Sequence, residues 1–113
     1  MIQVYHNARC SKSRECLAFL NETGQEFEVI KYLEQPPTFN ELKSIIKKLG
    51  IAPIDLVRKK EPVWISHFKG AEMSDDELIN AMITHPILIE RPIVVNGEKA
   101  VIARPASNAD TII

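Results

Sequence analysis

The 113-residue chain has little of what marks several common classes of protein. It contains two cysteines, Cys10 and Cys16, which are too few for a disulfide framework and a poor ligand set for zinc. Its formal net charge of -1 gives no sign of a general nucleic-acid or membrane binder. No apolar run approaches transmembrane length, and residues 1–5 are too short for the apolar region of a signal peptide. These absences predict a cytoplasmic protein with free thiols.

The composition that is present suits one globular domain. Apolar residues make up 45% of the chain, which is enough for one ordinary hydrophobic core. Charged residues make up 26%, which is ordinary for a globular protein. No internal repeat, low-complexity stretch or linker divides the sequence. We therefore predict a single domain over residues 1–113. We also predict a monomer, because no apolar patch is obvious outside the predicted core.

The N-terminal third has the pattern of a βαβ unit. Residues 2–5 alternate as in a strand, and residues 11–22 carry apolar side chains at helical spacing before Gly24, which can end a helix. Residues 27–32 are rich in strand-forming types. A strand, a helix and a strand in so short a span predict two parallel strands.

The middle of the chain is predicted to be helical. Gly50 and Pro86 mark the ends of two apolar-periodic segments, and residues 51–69 predict short helix and loop. Trp64 and Phe68, four residues apart, predict a packing pair. Two capping-box patterns begin the two longer helices, Thr38 with Glu41 and Ser74 with Glu77.

The C-terminal part changes to strand periodicity. Asn96-Gly97 lies between residues 93–95 and 99–102, which is a strong signal for a hairpin, and Pro105 suits the first turn of a closing helix. The order of elements predicts an α/β fold of thioredoxin-like type, βαβ…ββα with a mixed four-stranded sheet. A helical block is inserted at about residues 38–85.

Cys10 is placed where a loop meets the start of the first helix. The unpaired N–H groups and the positive dipole end of a helix favour a thiolate, and Arg9, Lys12 and Arg14 would act in the same direction. In such places a cysteine pKa of about 8.5 falls to roughly 3.5–7.5. The same features bind an oxyanion. Ser13, one turn on, would donate a hydrogen bond to the Cys10 sulfur or cap the helix.

Both cysteines also have a purely structural interpretation. Cys10 could be a small residue packed at a helix end. Cys16 lies six residues further on, well off the face of Cys10, and shares an apolar face with Leu17 and Leu20. We therefore predict that Cys16 belongs to the core, with a resolving role as the alternative.

Several segments carry a resemblance to a known family. The loop His6-Asn-Ala-Arg-Cys10-Ser-Lys-Ser13-Arg14 resembles the active-site loop of the glutaredoxin-coupled arsenate reductase family, which is thioredoxin-like and includes Spx-type relatives. The resemblance spans nearly the whole chain, through residues 32–37, 56–60, 85–95 and 103–105 in matching order. The loop departs from characterised members, which carry Gly-Thr where Ser11-Lys12 stands and often proline where Ala8 stands.

The resemblance implies roles for particular residues. Cys10 corresponds to the nucleophile, and three arginines correspond to the oxyanion-binding set: Arg58, Arg91 and Arg104. His6 corresponds to a histidine near the nucleophile, and Pro92 to the cis-proline of thioredoxin-like sites. Spacing alone does not bring these positions together. Each arginine, taken alone, could also be a solvated, turn or ion-pairing residue.

The resemblance also implies a reaction. Cys10 attacks arsenate, glutathione then attacks the adduct as co-substrate, and glutaredoxin resolves the mixed disulfide as arsenite is released. No metal or bound cofactor is expected.

Two alternative functions remain at this level. One is a glutathione-linked thiol oxidoreductase for another substrate, which would not need three converging arginines. The other is an Spx-like regulator that binds RNA polymerase. Such regulators switch through a Cys-x-x-Cys disulfide, and here the second cysteine position holds Ser13.

Overall fold

The computed structural model describes all residues, 1–113, in two compact units. The first unit combines Met1–Gln35 with Arg91–Ile113, and the second is Pro36–Glu90. The second unit contains the helical block that was predicted at about residues 38–85. That the chain forms a single domain stays a prediction.

The first unit is built on a four-stranded mixed sheet. The strands are β1 (Ile2–Tyr5), β2 (Phe27–Ile30), β3 (Ile93–Asn96) and β4 (Lys99–Ile102), in the order β2-β1-β3-β4. β1 and β2 are parallel, whereas β3 is antiparallel to both of its neighbours. This confirms the predicted thioredoxin-like arrangement. β2 is two residues shorter than predicted, because the Lys31 carbonyl accepts hydrogen bonds that close a turn there.

The helix between the parallel strands is confirmed. Helix α1 (Ser11–Thr23) ends at Gly24, whose left-handed φ of 73° favours glycine. The closing helix after β4 is a 3₁₀ helix (Ala106–Thr111), and Pro105 precedes it in extended conformation instead of entering its first turn. The side chains of Asn108 and Thr111 bond to nearby backbone carbonyls, which competes with α-helical pairing.

One apolar cluster holds the first unit together. α1 and the 3₁₀ helix contact each other, and their apolar faces meet residues of the sheet. Cys16 and Leu20 of α1 are fully buried there, which confirms the predicted core position of Cys16. The buried members of the cluster are Ile2, Val4, Cys16, Leu20, Val94, Ala103 and Ala109.

The second unit is helical, as predicted. It contains α2 (Phe39–Leu49), α3 (Pro62–His67), α4 (Asp75–Thr84) and two short 3₁₀ turns, Pro53–Leu56 and Pro86–Leu88. Both capping boxes form as the sequence indicated. The hydroxyls of Thr38 and Ser74 each accept from the backbone N–H three residues on, and the glutamate there accepts in return. None of the helices is long and apolar enough to cross a bilayer.

Short backbone contacts and ring packing stabilise this unit. Val57 pairs with Ile89 in an isolated antiparallel bridge. The rings of Trp64 and Phe68 stack with centroids 5.6 Å apart, which confirms the predicted pair.

Candidate active site

The register of the sheet brings three distant segments to one edge. Tyr5, the last residue of β1, pairs with Ile93, the first of β3, because these strands are antiparallel. Ile93 pairs in turn with Ile102 at the end of β4, and the Ala103 N–H donates to the Pro92 carbonyl over 2.9 Å. The loop after β1, the segment before β3 and the segment after β4 are therefore neighbours.

The loop between β1 and α1 is held by its own hydrogen bonds. The Cys10 N–H donates to the Asn7 carbonyl over 3.0 Å, and the Arg9 N–H donates to Asn7 Oδ1 over 3.0 Å. The Asn7 N–H donates to Ser13 Oγ over 3.3 Å. Asn7 and Ser13 are both buried, so these bonds fix the loop and hold Cys10 at the start of α1.

Asn7 was not predicted as a functional residue. The sequence signal for this role is an asparagine shortly before a helix start. The side-chain oxygen of such an asparagine commonly accepts a hydrogen bond from the backbone N–H two residues further on. Ser13 also differs from expectation. Its hydroxyl accepts from Asn7 and forms no hydrogen bond with the Cys10 sulfur; its backbone N–H interacts with the sulfur instead.

Cys10 is the N-cap residue of α1 and is 8% exposed. Burial acts to raise the pKa of its thiol, but the backbone N–H groups of Ser13 and Lys12 lower it, and the Arg91 guanidinium lowers it further. The net effect is a Cys10 pKa below its ordinary value. The thiol forms no capping hydrogen bond of ordinary geometry, so the helix N–H groups act on the sulfur mainly through their electrostatic field.

The cation that lowers the pKa of Cys10 is Arg91, and not one of the three cations near Cys10 in sequence. Lys12 Nζ lies 3.5 Å from Glu15 Oε2, and Arg14 Nη1 donates to the Ala8 carbonyl over 2.9 Å. The side chains of Arg9, Lys12 and Arg14 are not among the groups that shift the Cys10 pKa. The prediction that these neighbours stabilise the thiolate is not supported for Lys12 and Arg14, because their side chains contact Glu15 and the Ala8 carbonyl instead.

Arg91 and Arg104 lie together at this edge of the sheet. The positive charge of Arg91 lies near enough to the Cys10 sulfur to lower the pKa of its thiol, and Arg104 Nη1 donates to the Arg91 carbonyl over 3.4 Å. The Arg91–Pro92 peptide bond is cis, as the resemblance implied for Pro92. The Arg104–Pro105 bond is also cis, which the sequence did not indicate. The structure thus brings two of the three predicted arginines to the Cys10 side of the first unit.

Arg58 belongs to the second unit. Its Nη2 lies 3.2 Å from Glu61 Oε2, and its Nη1 donates to the Ile87 carbonyl over 3.3 Å. The side chain is 19% exposed, so it is not the freely solvated helix end that its neighbours Lys59 and Lys60 suggested. This pair holds the guanidinium in one orientation.

His6 is a buried residue of the first unit. Its backbone N–H donates to the Ile30 carbonyl over 2.8 Å, joining the loop to the end of β2. Burial lowers the pKa of the imidazole, the positive charges of Lys31 and Arg14 lower it as well, and the Ser13 backbone raises it in part. His6 Nδ1 is buried and has no hydrogen-bond partner in the protein. The neutral ring is therefore the favoured form.

Cys16 lacks the neighbouring groups that lower the pKa of Cys10. Burial raises the pKa of Cys16 to about 11, and the side chain is inaccessible. A thiol in that state is a poor nucleophile near neutral pH. Both cysteines are free, and no cluster of three or more histidine, cysteine or acidic side chains is arranged to hold a metal ion.

Comparison with known proteins decides the family. The model of the ArsC family matches residues 5–112. The chain belongs to the ArsC family. Among its relatives, an arsenate reductase of Neisseria meningitidis serogroup A is 40% identical and spans 99% of this chain and 97% of that protein. One from Haemophilus influenzae is 45% identical over 90% of each chain.

A solved structure agrees with this assignment. The structure of an arsenate reductase from Vibrio cholerae superposes on this ArsC-family chain with a TM-score of 0.94 at 42% identity. The match covers 99% of this chain and 97% of that one. The resemblance noted from the active-site loop is thereby confirmed at the level of family and fold.

Proposed function

We propose that this ArsC-family protein is an arsenate reductase, an oxidoreductase that uses the Cys10 thiolate to convert arsenate to arsenite. One observation carries the proposal. Cys10 has a lowered pKa at the start of a helix, and the Arg91 guanidinium is one of the groups that lower it. A nucleophile and a group that binds oxyanions therefore occupy the same place. The arsenate reductases among its relatives support the choice of substrate.

The arginines would serve as an anion clamp. Arg91 and Arg104 lie at the same edge of the sheet as Cys10, and planar guanidinium groups bind the paired oxygens of arsenate while remaining charged. They would also offset the repulsion between a thiolate and an anion. Arg58 enters as the third member on the family resemblance, with Glu61 holding its guanidinium in orientation before substrate binds.

Three other residues would support the nucleophile. Ser13 and Arg14 hold the loop through their bonds to Asn7 and Ala8. His6 would add a buried imidazole beside the loop, and burial holds the pKa of this ring below its ordinary value. Pro92 would present the backbone that carries Arg91.

The reaction balances without a metal or a bound cofactor. The Cys10 thiolate attacks arsenic and forms an S–As bond, and one arsenate oxygen leaves as water. Glutathione then attacks the Cys10 sulfur, so that an S–S bond forms and the S–As bond breaks. The electron pair passes to arsenic, which is reduced from As(V) to As(III), and the thiol proton leaves on arsenite. Glutaredoxin finally exchanges its thiol with the mixed disulfide and restores Cys10.

The remaining proposals concern the setting of the enzyme. We propose that the chain acts as a single thioredoxin-like domain and a cytoplasmic monomer, with glutathione as co-substrate and glutaredoxin as protein partner. Nucleic acid and membrane have no part in the reaction. Light scattering across a range of concentrations tests the oligomeric state, and a dimer mass would contradict it.

The test is a coupled assay with matched cysteine variants. Arsenate-dependent NADPH oxidation is followed with glutathione reductase, glutathione and glutaredoxin. Turnover should vanish in Cys10→Ala and persist in Cys16→Ala, because only the first thiol is activated. A folded wild type with no turnover, even at excess glutaredoxin, would exclude arsenate as substrate.

The two alternative functions are separated by further measurements. Arg104→Ala should lower arsenate turnover by about 100-fold, the usual effect of removing one oxyanion-binding donor, and should leave reduction of a neutral disulfide intact. An equal loss with both substrates would favour a general thiol oxidoreductase. Capture of RNA polymerase by the purified protein would favour the regulator.

A further inference from the structure

A recess lies beside the active-site loop in the first unit. Its volume is about 350 Å³, within the range of small-molecule sites. One wall is the loop that leads to Cys10, and the other is the turn that follows β2. The lining residues are His6, Asn7, Ala8, Arg9, Lys31, Leu33 and Glu34.

The recess occupies a position that suits ligands. β1 and β2 are parallel, so their carboxyl ends meet at one edge of the sheet, and both walls of the recess follow these ends directly. Ligands of open α/β sheets bind outside the carboxyl ends of parallel strands. Arg9, which lines the recess, immediately precedes Cys10 in the chain, so the recess adjoins the loop that holds the nucleophile.

The charged groups that line the recess have no partners in the protein. The Arg9 guanidinium, the Lys31 ammonium and the Glu34 carboxylate form no ion pair and no side-chain hydrogen bond. All three residues are exposed, whereas Lys12 and Arg14 of α1 already contact Glu15 and the Ala8 carbonyl. Two cations and one carboxylate around an apolar side chain, Leu33, fit a ligand with two carboxylates, one ammonium and a short apolar stem.

We propose that this recess binds the thiol co-substrate, a small anionic peptide thiol of the glutathione class. Arg9 and Lys31 bind its two carboxylates, and Glu34 binds its α-ammonium. The inference rests on the proposed function, because it supplies the thiol that attacks the Cys10–arsenic adduct. Arsenate and the thiol then approach Cys10 from separate places, with Arg91 and Arg104 holding the anion and the recess holding the peptide. Neither ligand has to displace the other.

The first test measures binding without chemistry. S-methylglutathione, which cannot attack a sulfur, is titrated into the wild-type protein, and backbone amide shifts are recorded by NMR. The expected result is saturable shifts at Arg9 and at residues 31–34. Lys31→Glu should weaken this binding by roughly tenfold, as expected for turning a surface ion pair into a repulsion. Lys99→Glu, which alters an exposed lysine of β4 outside the recess, should leave the affinity unchanged.

The second test compares two reductants in arsenate turnover. The ratio of kcat/KM for glutathione to that for 2-mercaptoethanol should fall roughly tenfold in Lys31→Glu, because the uncharged thiol has nothing for Lys31 to bind. Using a ratio removes any effect that acts through the pKa of His6, which Lys31 also lowers.

The outcomes separate this proposal from the proposed function. Shifts at the recess without arsenate turnover would keep the thiol site and overturn the reductase. Turnover with an unchanged ratio, or S-methylglutathione shifts confined to residues outside the recess, would overturn the thiol site alone.

Discussion

Cys10 is subject to opposing influences, and their balance sets its reactivity. Burial favours the neutral thiol, whereas two helix N–H groups and the Arg91 guanidinium favour the thiolate. Arg91 lies 81 positions away in sequence (91 minus 10) and reaches the sulfur through the pairing of β1 with β3. Lys12 and Arg14, which are close to Cys10 in sequence, contact Glu15 and the Ala8 carbonyl instead.

This arrangement predicts that one arginine variant and one lysine variant change the Cys10 pKa differently. Arg91→Ala should raise the pKa of the Cys10 thiol, because it removes the nearby positive charge that lowers this pKa. Lys12→Gln should leave the pKa nearly unchanged, since the helix N–H at that position is retained and its ammonium pairs with Glu15. The measurement is the rate of iodoacetamide alkylation against pH, with Cys16→Ala as background. Equal shifts in both variants would mean that general positive charge, and not Arg91, activates Cys10.

His6 contributes to the pH dependence of stability. Its pKa lies below the ordinary 6.5 because burial and nearby positive charges disfavour the imidazolium. As pH falls from 6.5 toward the lower pKa of the folded protein, His6 of the unfolded chain binds a proton before His6 of the folded protein does. The free energy of unfolding should therefore decrease as pH drops below 6.5 and continue to do so until the lower folded pKa is passed.

Substitution of His6 tests this sign. His6→Gln should make the free energy of unfolding less dependent on pH between neutrality and mild acid than it is in wild type. Urea unfolding at several pH values provides the comparison, and His67→Gln, at an exposed histidine, is the control. If the wild type and His6→Gln lost stability in parallel, the burial of His6 would not be the cause.

At the scale of the element, the start of α1 depends on a hydrogen bond that the sequence pattern did not specify. Ser13 is fully buried, and its hydroxyl accepts from the buried Asn7 N–H. Ser13→Ala should lower the free energy of unfolding by about 1–3 kcal/mol, because a buried donor loses its partner. It should also reduce the reactivity of Cys10 as the loop loosens. Ser11→Ala, at an exposed position, should do neither; equal effects of the two changes on urea unfolding would contradict this role.

The elements themselves were largely predictable because their signals are local. The capping boxes at Thr38 and Ser74, the Asn96-Gly97 hairpin and the glycine that ends α1 each act within a few residues. The closing helix was predicted in place but not in type, because the side chain of Asn108 bonds to backbone carbonyls there. The partner of Ser13 was missed because a serine near a helix start has several possible acceptors and donors.

At the scale of the whole molecule, the site depends on strand register that sequence periodicity does not contain. The βαβ…ββα order predicted which strands are parallel, yet the meeting of Cys10, Arg91 and Arg104 required the pairing of Tyr5 with Ile93 and of Ile93 with Ile102. Before the structure, only the family resemblance indicated that these residues act together. The buried side chains of Val4 and Val94 anchor this register beneath the site.

The most direct test of the central claim is to map the mixed disulfide that the reaction leaves behind. The protein is incubated with glutathione, with and without arsenate and without glutaredoxin, then quenched and analysed by peptide mass spectrometry. The account predicts glutathione on Cys10, formed rapidly only with arsenate, and an unmodified Cys16. Modification of Cys16, or modification of Cys10 at the same rate without arsenate, would contradict the claim that Cys10 reduces arsenate.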